Sequence, residues 1–167
     1  MRHFIVLLAT LTCSLDIRAG EATAELHRID AQGIGARVGT ISIREVTGGL
    51  EFTPKLSGLP AGQHGFHLHE TGSCEPGDKD GKMQAGLAAG SHYDPDKTGK
   101  HLGPQGAGHK GDLPALTVAE DGSASMPVTA SRLTLADVQG RALIVHAEPD
   151  NYADQPGGAR IACGVIH

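Results

Sequence analysis

Residues 36–46 alternate Val38, Thr40, Ser42 and Arg44 with Gly39, Ile41, Ile43 and Glu45, and residues 22–30 carry a similar alternation. A period of two along the chain marks strands with one face buried. The glycines at 31–35 and 47–49 supply tight turns, so the chain opens as an antiparallel meander. Residues 50–56 read as a third strand, and the turn at 58–62 feeds a fourth over 64–70. Periodicity then disappears for the 44 residues 71–114, far longer than an ordinary connection. It returns at 115–119 and 123–130, which read as a hairpin around Glu120-Asp121-Gly122. A short stretch, 133–138, leads to a β-branched run over 141–146. A second irregular loop, 147–158, separates this run from a closing strand over 159–166. The pattern predicts an all-β domain of about eight strands in one sandwich or barrel, carrying two long loops.

Composition agrees with that pattern. Among 167 residues there are 24 glycines and no tryptophan, and the length suits one domain with its own core. Residues 1–19 read as a secretory signal: Arg2, an apolar run over 4–15 too short to span a bilayer, and the small residue Ala19 before a cut. The mature domain is then 20–167. Thr10-Leu11-Thr12 before Cys13 is a poor lipidation box, so a lipid anchor is not expected. Processing leaves 12 basic and 18 acidic residues, a formal charge of −6 that argues against a nucleic-acid partner. It also leaves two cysteines, Cys74 and Cys163, expected to form one disulfide in an oxidising compartment.

The chemistry concentrates in His64-Gly65-Phe66-His67-Leu68-His69-Glu70. Residues two apart on a strand share a face, so His67 and His69 can reach one metal ion together. His92, His101, His109, Asp112 and His146 follow downstream. Seven histidines from His64 to His146, with one carboxylate and no thiolate pair, suit zinc or copper and argue against an iron–sulfur cluster or a thiolate zinc finger. The set is too large for one tetrahedral ion. Two ions are the natural reading: one held by His101, His109 and Asp112 from the long loop, another by His67, His69 and His146, with His92 as the candidate shared ligand. His27, with no histidine near it in sequence, reads as an ordinary strand residue.

These segments resemble the bacterial, exported (periplasmic) copper/zinc superoxide dismutases. The likeness runs through HGFHLHE at 64–70, Cys74-Glu75-Pro76, Ser91-His92-Tyr93-Asp94-Pro95 and His101-Leu102-Gly103-Pro104. It continues through Gly108-His109-Lys110-Gly111-Asp112-Leu113-Pro114, Val145-His146-Ala147, Asp150-Asn151 and the segment from Gly158 to Ile166. The resemblance implies an eight-stranded Greek-key β-barrel with two long functional loops. It implies copper on His67, His69, His92 and His146, and zinc on His92, His101, His109 and Asp112, with His92 bridging. Asp150 matches a carboxylate that orients His67 and His101, and Arg160 matches an arginine that attracts the superoxide anion. His64 matches a structural position outside the metal shell. The same resemblance supports the Cys74–Cys163 pairing.

The implied reaction is dismutation of superoxide to dioxygen and hydrogen peroxide by alternate reduction and reoxidation of copper, with His92 released to take a proton. A protein of negative charge must focus a local positive field to attract an anion, and Lys79 or Lys82 is expected to add to Arg160. Two other readings compete. One is a non-enzymatic copper or zinc carrier on the same scaffold; the other is a zinc hydrolase using Glu70 as base, although four ligands already fill the zinc set. No stable membrane insertion is expected after processing, and both a homodimer and a monomer remain open.

Overall fold

A computed structural model describes residues 20–152 and 157–167; the expected export signal over 1–19 lies outside the described residues. The alternating segments form strands β1 (Glu21–Asp30), β2 (Gly33–Val46) and β3 (Gly49–Leu56), joined as an antiparallel meander. Their inward residues include Ala22, Ala24, Leu26, Ile41, Ile43, Leu50 and Phe52, all buried in one core. The histidine segment divides at Gly65 into β4 (Gly62–His64) and β5 (Phe66–His69). Later come β6 (Gly77–Lys79), β7 (Lys82–Gln84), β8 (Leu116–Val118), β9 (Val128–Ala130), the helix α1 (Leu135–Val138), β10 (Ala142–His146) and β11 (Arg160–Val165).

Seven strands make one antiparallel sheet in the order β5-β10-β11-β1-β2-β3-β9. The β4–β8 ladder adds Leu116 and Val118 to the same core, where Phe52 and Phe66 meet edge to face with ring centroids 6.0 Å apart. All-β architecture is therefore as the alternation predicts. The division at Gly65 follows from a change of partner, since β4 pairs with β8 and β5 with β10.

Two local expectations need correction. The turn between 119 and 123 forms, with Ala119 N–H donating to Ser123 O at 2.8 Å. Its arms do not remain a hairpin, because β8 pairs with β4 while β9 pairs with β3. Leu116, Val118, Ala124 and Ala130 all bury in the one main core, so the separation lies in strand pairing rather than in which core each arm enters. The long loop also holds more regular structure than its composition suggests: β6 and β7 form a small hairpin, and residues Leu87–Ala89 make one 3₁₀ turn.

The Cys74–Cys163 disulfide forms and ties that loop to β11. Around it Ile29, Ala89, Ala142 and Ile144 make a second, smaller apolar cluster. The loop is thus anchored to the outer face of the sheet, close to the strands that carry His67, His69 and His146. No helix among the described residues is long and apolar enough to cross a membrane.

Candidate metal centre

His67 and His69 stand on β5, and His146 ends the neighbouring β10. His67 lies opposite Ile144 and His69 opposite Ala142 in that ladder, so two adjacent strands present three imidazoles to one place. The loop brings His92 to them through an isolated bridge with His69. One donor atom from each of His67, His69, His92 and His146 lies within 4.8 Å of the others.

The hydrogen bonds of these rings fix which nitrogen faces inward. His67 Nε2 donates to Asp150 Oδ2 at 2.8 Å, His69 Nδ1 to Gly90 O at 3.0 Å, and His146 Nδ1 to Gly158 O at 3.0 Å. Each ring uses its N–H there, which leaves His67 Nδ1, His69 Nε2 and His146 Nε2 as lone-pair donors. All three are buried without a hydrogen-bond partner. Burial holds the His67 and His69 pKa values well below the usual imidazole range, pushes His146 down to about 3, and lowers His92 as well. The rings are therefore neutral, as a metal ligand requires. Leaving several such acceptors dry and unpaired is costly, and a cation among them removes that cost.

A second group lies beside the first. Asp112 Oδ1 is 2.9 Å from His92 Nδ1, 3.0 Å from His101 Nδ1 and 3.4 Å from His109 Nδ1. Only the His92 contact is a hydrogen bond, and the His101 and His109 nitrogens are left buried without partners. Burial works to raise the Asp112 carboxyl, but the His92 hydrogen bond and the surrounding imidazoles outweigh it, so it stays ionised and below its ordinary value. Three ring nitrogens converging on one carboxylate oxygen form a ready four-donor set for zinc.

The tightest second group within 4.8 Å is His67, His92, His101 and Asp112, so His109 stands slightly outside and His67 falls within both groups. His67 has only one free nitrogen because Asp150 takes the other, and it can serve only one ion. His92 differs. Its Nδ1 faces Asp112, leaving Nε2 for the first group, and its ring lies 3.9 Å from that of His67 and 5.2 Å from that of His109, centroid to centroid.

The Asp150 side chain is fully buried and reaches both groups: Oδ2 meets His67 Nε2, while Oδ1 is 3.4 Å from His101 Nε2. Burial raises its carboxyl to about 6. Gly65 makes this approach possible, because a Cβ there would sit 3.0 Å from Asp150 Oδ1 and 3.2 Å from His67 Cε1. Arg160 donates to Gly86 O at 2.5 Å and Gly90 O at 2.7 Å, and with Gln84, Ala85, Gly158 and Ala159 lines an open cavity of about 390 Å³.

Other residues fall elsewhere. His64 is buried between carbonyl oxygens, with Nδ1 2.7 Å from His146 O and Nε2 2.8 Å from Pro60 O. His27 pairs with Glu25 and Gly35 O. Glu70 accepts from Ser91 N–H at 3.1 Å. Lys79 and Lys82 are exposed on the β6–β7 hairpin, whose last residue is Gln84 at the cavity.

Sequence reasoning passed over Tyr152, whose ring tilts against His101 at 5.7 Å and packs on Gly103. A Cβ on Gly103, where φ is +78°, would lie 2.8 Å from the tyrosine ring. Its adjacency to Asp150 was the available signal.

Comparison with known proteins points one way. The profile of the copper/zinc superoxide dismutase (SODC) family matches residues 37–166. The sequence is 50% identical to superoxide dismutase (Cu-Zn) 2 of Salmonella typhimurium over 99% of both chains. Among solved structures, the Cu/Zn superoxide dismutase from Brucella abortus superposes with a TM-score of 0.86 at 49% identity, covering 89% of this chain and 100% of that one. The solution structure of the monomeric copper, zinc superoxide dismutase from Salmonella enterica gives 0.80 at 51% identity, with the same coverage.

Proposed function

The chain belongs to the copper/zinc superoxide dismutase family, and on that premise we propose which of its residues carry the reaction. Its activity is the conversion of two superoxide anions and two protons to dioxygen and hydrogen peroxide, with copper and zinc as cofactors. His67, His69, His92 and His146 would hold copper, and His92, His101, His109 and Asp112 would hold zinc, with His92 the residue common to both sets. The observation that carries this assignment is the set of buried ring nitrogens left without hydrogen-bond partners while their opposite nitrogens are pinned to oxygen acceptors.

Copper, when bound, supplies the one-electron couple that dismutation needs, and zinc supplies a fixed positive charge. His92 is the catalytic proton carrier: Nδ1 stays on the Asp112 side while Nε2, on the copper side, takes a proton and passes it to the second superoxide. Arg160 meets the anion, its guanidinium held at the cavity wall by Gly86 O and Gly90 O. Asp150 keeps His67 and His101 turned toward their ions.

Superoxide decay by the purified protein, before and after copper is removed and restored, tests the reading. Decay should track copper content; tight metal binding without acceleration would favour the carrier instead. Arg160→Ala should slow decay about tenfold at low salt with metal content unchanged, since focusing of an anion by a local charge is worth at least that much. Neutralising Lys79 and Lys82 should flatten the ionic-strength dependence if they extend the field. Asp150→Ala should weaken retention of both metals by about 10–100-fold, the usual effect of losing a ligand's supporting partner, as read by chelator competition.

Export to the periplasm after removal of residues 1–19 is part of the same proposal. The disulfide supports it, because such bonds persist in oxidising compartments. Solution mass will decide between a monomer, as the Salmonella enterica relative is described, and a homodimer.

A further inference from the structure

Asp137 lies on α1, a four-residue helix that contributes no imidazole to the centre, yet its carboxylate gathers groups from three segments. Oδ2 accepts from Thr134 N–H at 2.8 Å and from the Thr134 hydroxyl at 2.7 Å, closing a capping box. Both oxygens accept from Lys110 Nζ at 2.8 Å. Oδ1 also accepts from the Tyr93 hydroxyl at 3.0 Å. Tyr93 directly follows His92, and Lys110 directly follows His109.

A helix cap explains the Thr134 bonds and nothing more. The other two partners join the residues beside two ligands that lie 17 positions apart on an irregular loop. The neighbourhood reinforces that grip. Arg132 donates to His109 O at 3.1 Å and Gly108 O at 2.9 Å, and the Arg141 guanidinium sits 4.0 Å over the Tyr93 ring while its Nε donates to Asp137 O at 2.7 Å. Burial works to raise the Asp137 carboxyl, but its donors hold it down to about 2, so the hub is charged throughout the physiological range.

We propose that Asp137 is a positioning residue: through Tyr93 and Lys110 it fixes His92 and His109 relative to one another before metal arrives, so that zinc meets a preassembled subsite. Ordering the loop in advance removes an entropic cost from binding. The inference rests on the assignment of His92 and His109 to zinc.

The test is zinc affinity and release, measured by chelator competition on the metal-stripped full-length protein, with the visible spectrum of Co²⁺ in the zinc subsite as a second readout. Asp137→Ala should weaken zinc binding about tenfold, within the range set by loss of groups that support ligands, and should broaden the Co²⁺ bands. Lys110→Met and Tyr93→Phe remove one arm each and should produce smaller losses, so the test stands even if Asp137→Ala folds poorly. Tyr93→Phe, unlike Lys110→Met, should also shift the copper absorption band, because His92 serves both ions. Thr134→Ala weakens the cap without touching either arm; it should lower the melting temperature and leave zinc affinity as in the parent.

Zinc affinity unchanged in Lys110→Met and Tyr93→Phe, or lowered equally by Thr134→Ala, would overturn the proposal and reduce Asp137 to a helix cap. Parental zinc affinity in His109→Ala would instead remove the premise, and the proposal with it.

Discussion

Replacing His92 with alanine is expected to eliminate more activity than any other single change in the centre. His92 alone presents one nitrogen to each group, with Nδ1 bonded to Asp112 and the ring tilted close against that of His67. Its loss takes a ligand from both ions and removes the proton carrier between them. Decay of superoxide should fall by more than the roughly 100-fold that marks loss of a mere supporting partner. Zinc content should fall with it. His101→Ala is the useful contrast, since it damages the zinc set while leaving all four copper ligands in place. That variant should lose zinc, retain copper and keep part of its activity. If His92→Ala and His101→Ala behaved alike, in both metal content and rate, the shared-ligand assignment would fail.

Removing the disulfide should produce the largest change in stability. Cys74 and Cys163 are 89 positions apart, and closing a loop of that length restricts the unfolded chain by about 4.6 kcal/mol in the chain-entropy account. The bond also orders the segment that supplies Gly86 O and Gly90 O to Arg160. A Cys74→Ala/Cys163→Ala double variant should therefore melt roughly 10 °C lower, by the usual conversion for a domain of this size. It should also lose activity before it unfolds, as Arg160 loses its anchors. Thermal melts paired with superoxide decay at temperatures below the transition separate the two effects. Decay unchanged up to the onset of melting would show that the loop needs no covalent tie.

The strands of the opening meander were legible because each has one wet and one dry face. Leu26, Ile41 and Phe52 announce their direction through the polar residues between them. Sharing of a face by His67 and His69 followed from the same period. The loop ligands gave no such signal: His92, His101 and His109 follow no repeat, and only their residue type and resemblance to a family grouped them. Asp150 was legible only through that resemblance, since an aspartate between Pro149 and Asn151 otherwise reads as a turn.

The separation of β8 from β9 was not legible, because the turn between them is ordinary and their different partners lie far away in sequence. Asp137 was hidden for a related reason. Its role depends on contacts with Tyr93 and Lys110, which no local pattern around residue 137 encodes.

The carbonyl oxygen of Gly90 accepts from both His69 Nδ1 and Arg160 Nη2, at 3.0 and 2.7 Å. One atom is therefore the common datum for a ligand on one side and the guanidinium on the other. A change in the position of that carbonyl therefore acts on the ring of His69 and on the guanidinium of Arg160 together. The orientation of a metal-binding ring and the placement of the anion-facing charge are thus coupled through one acceptor.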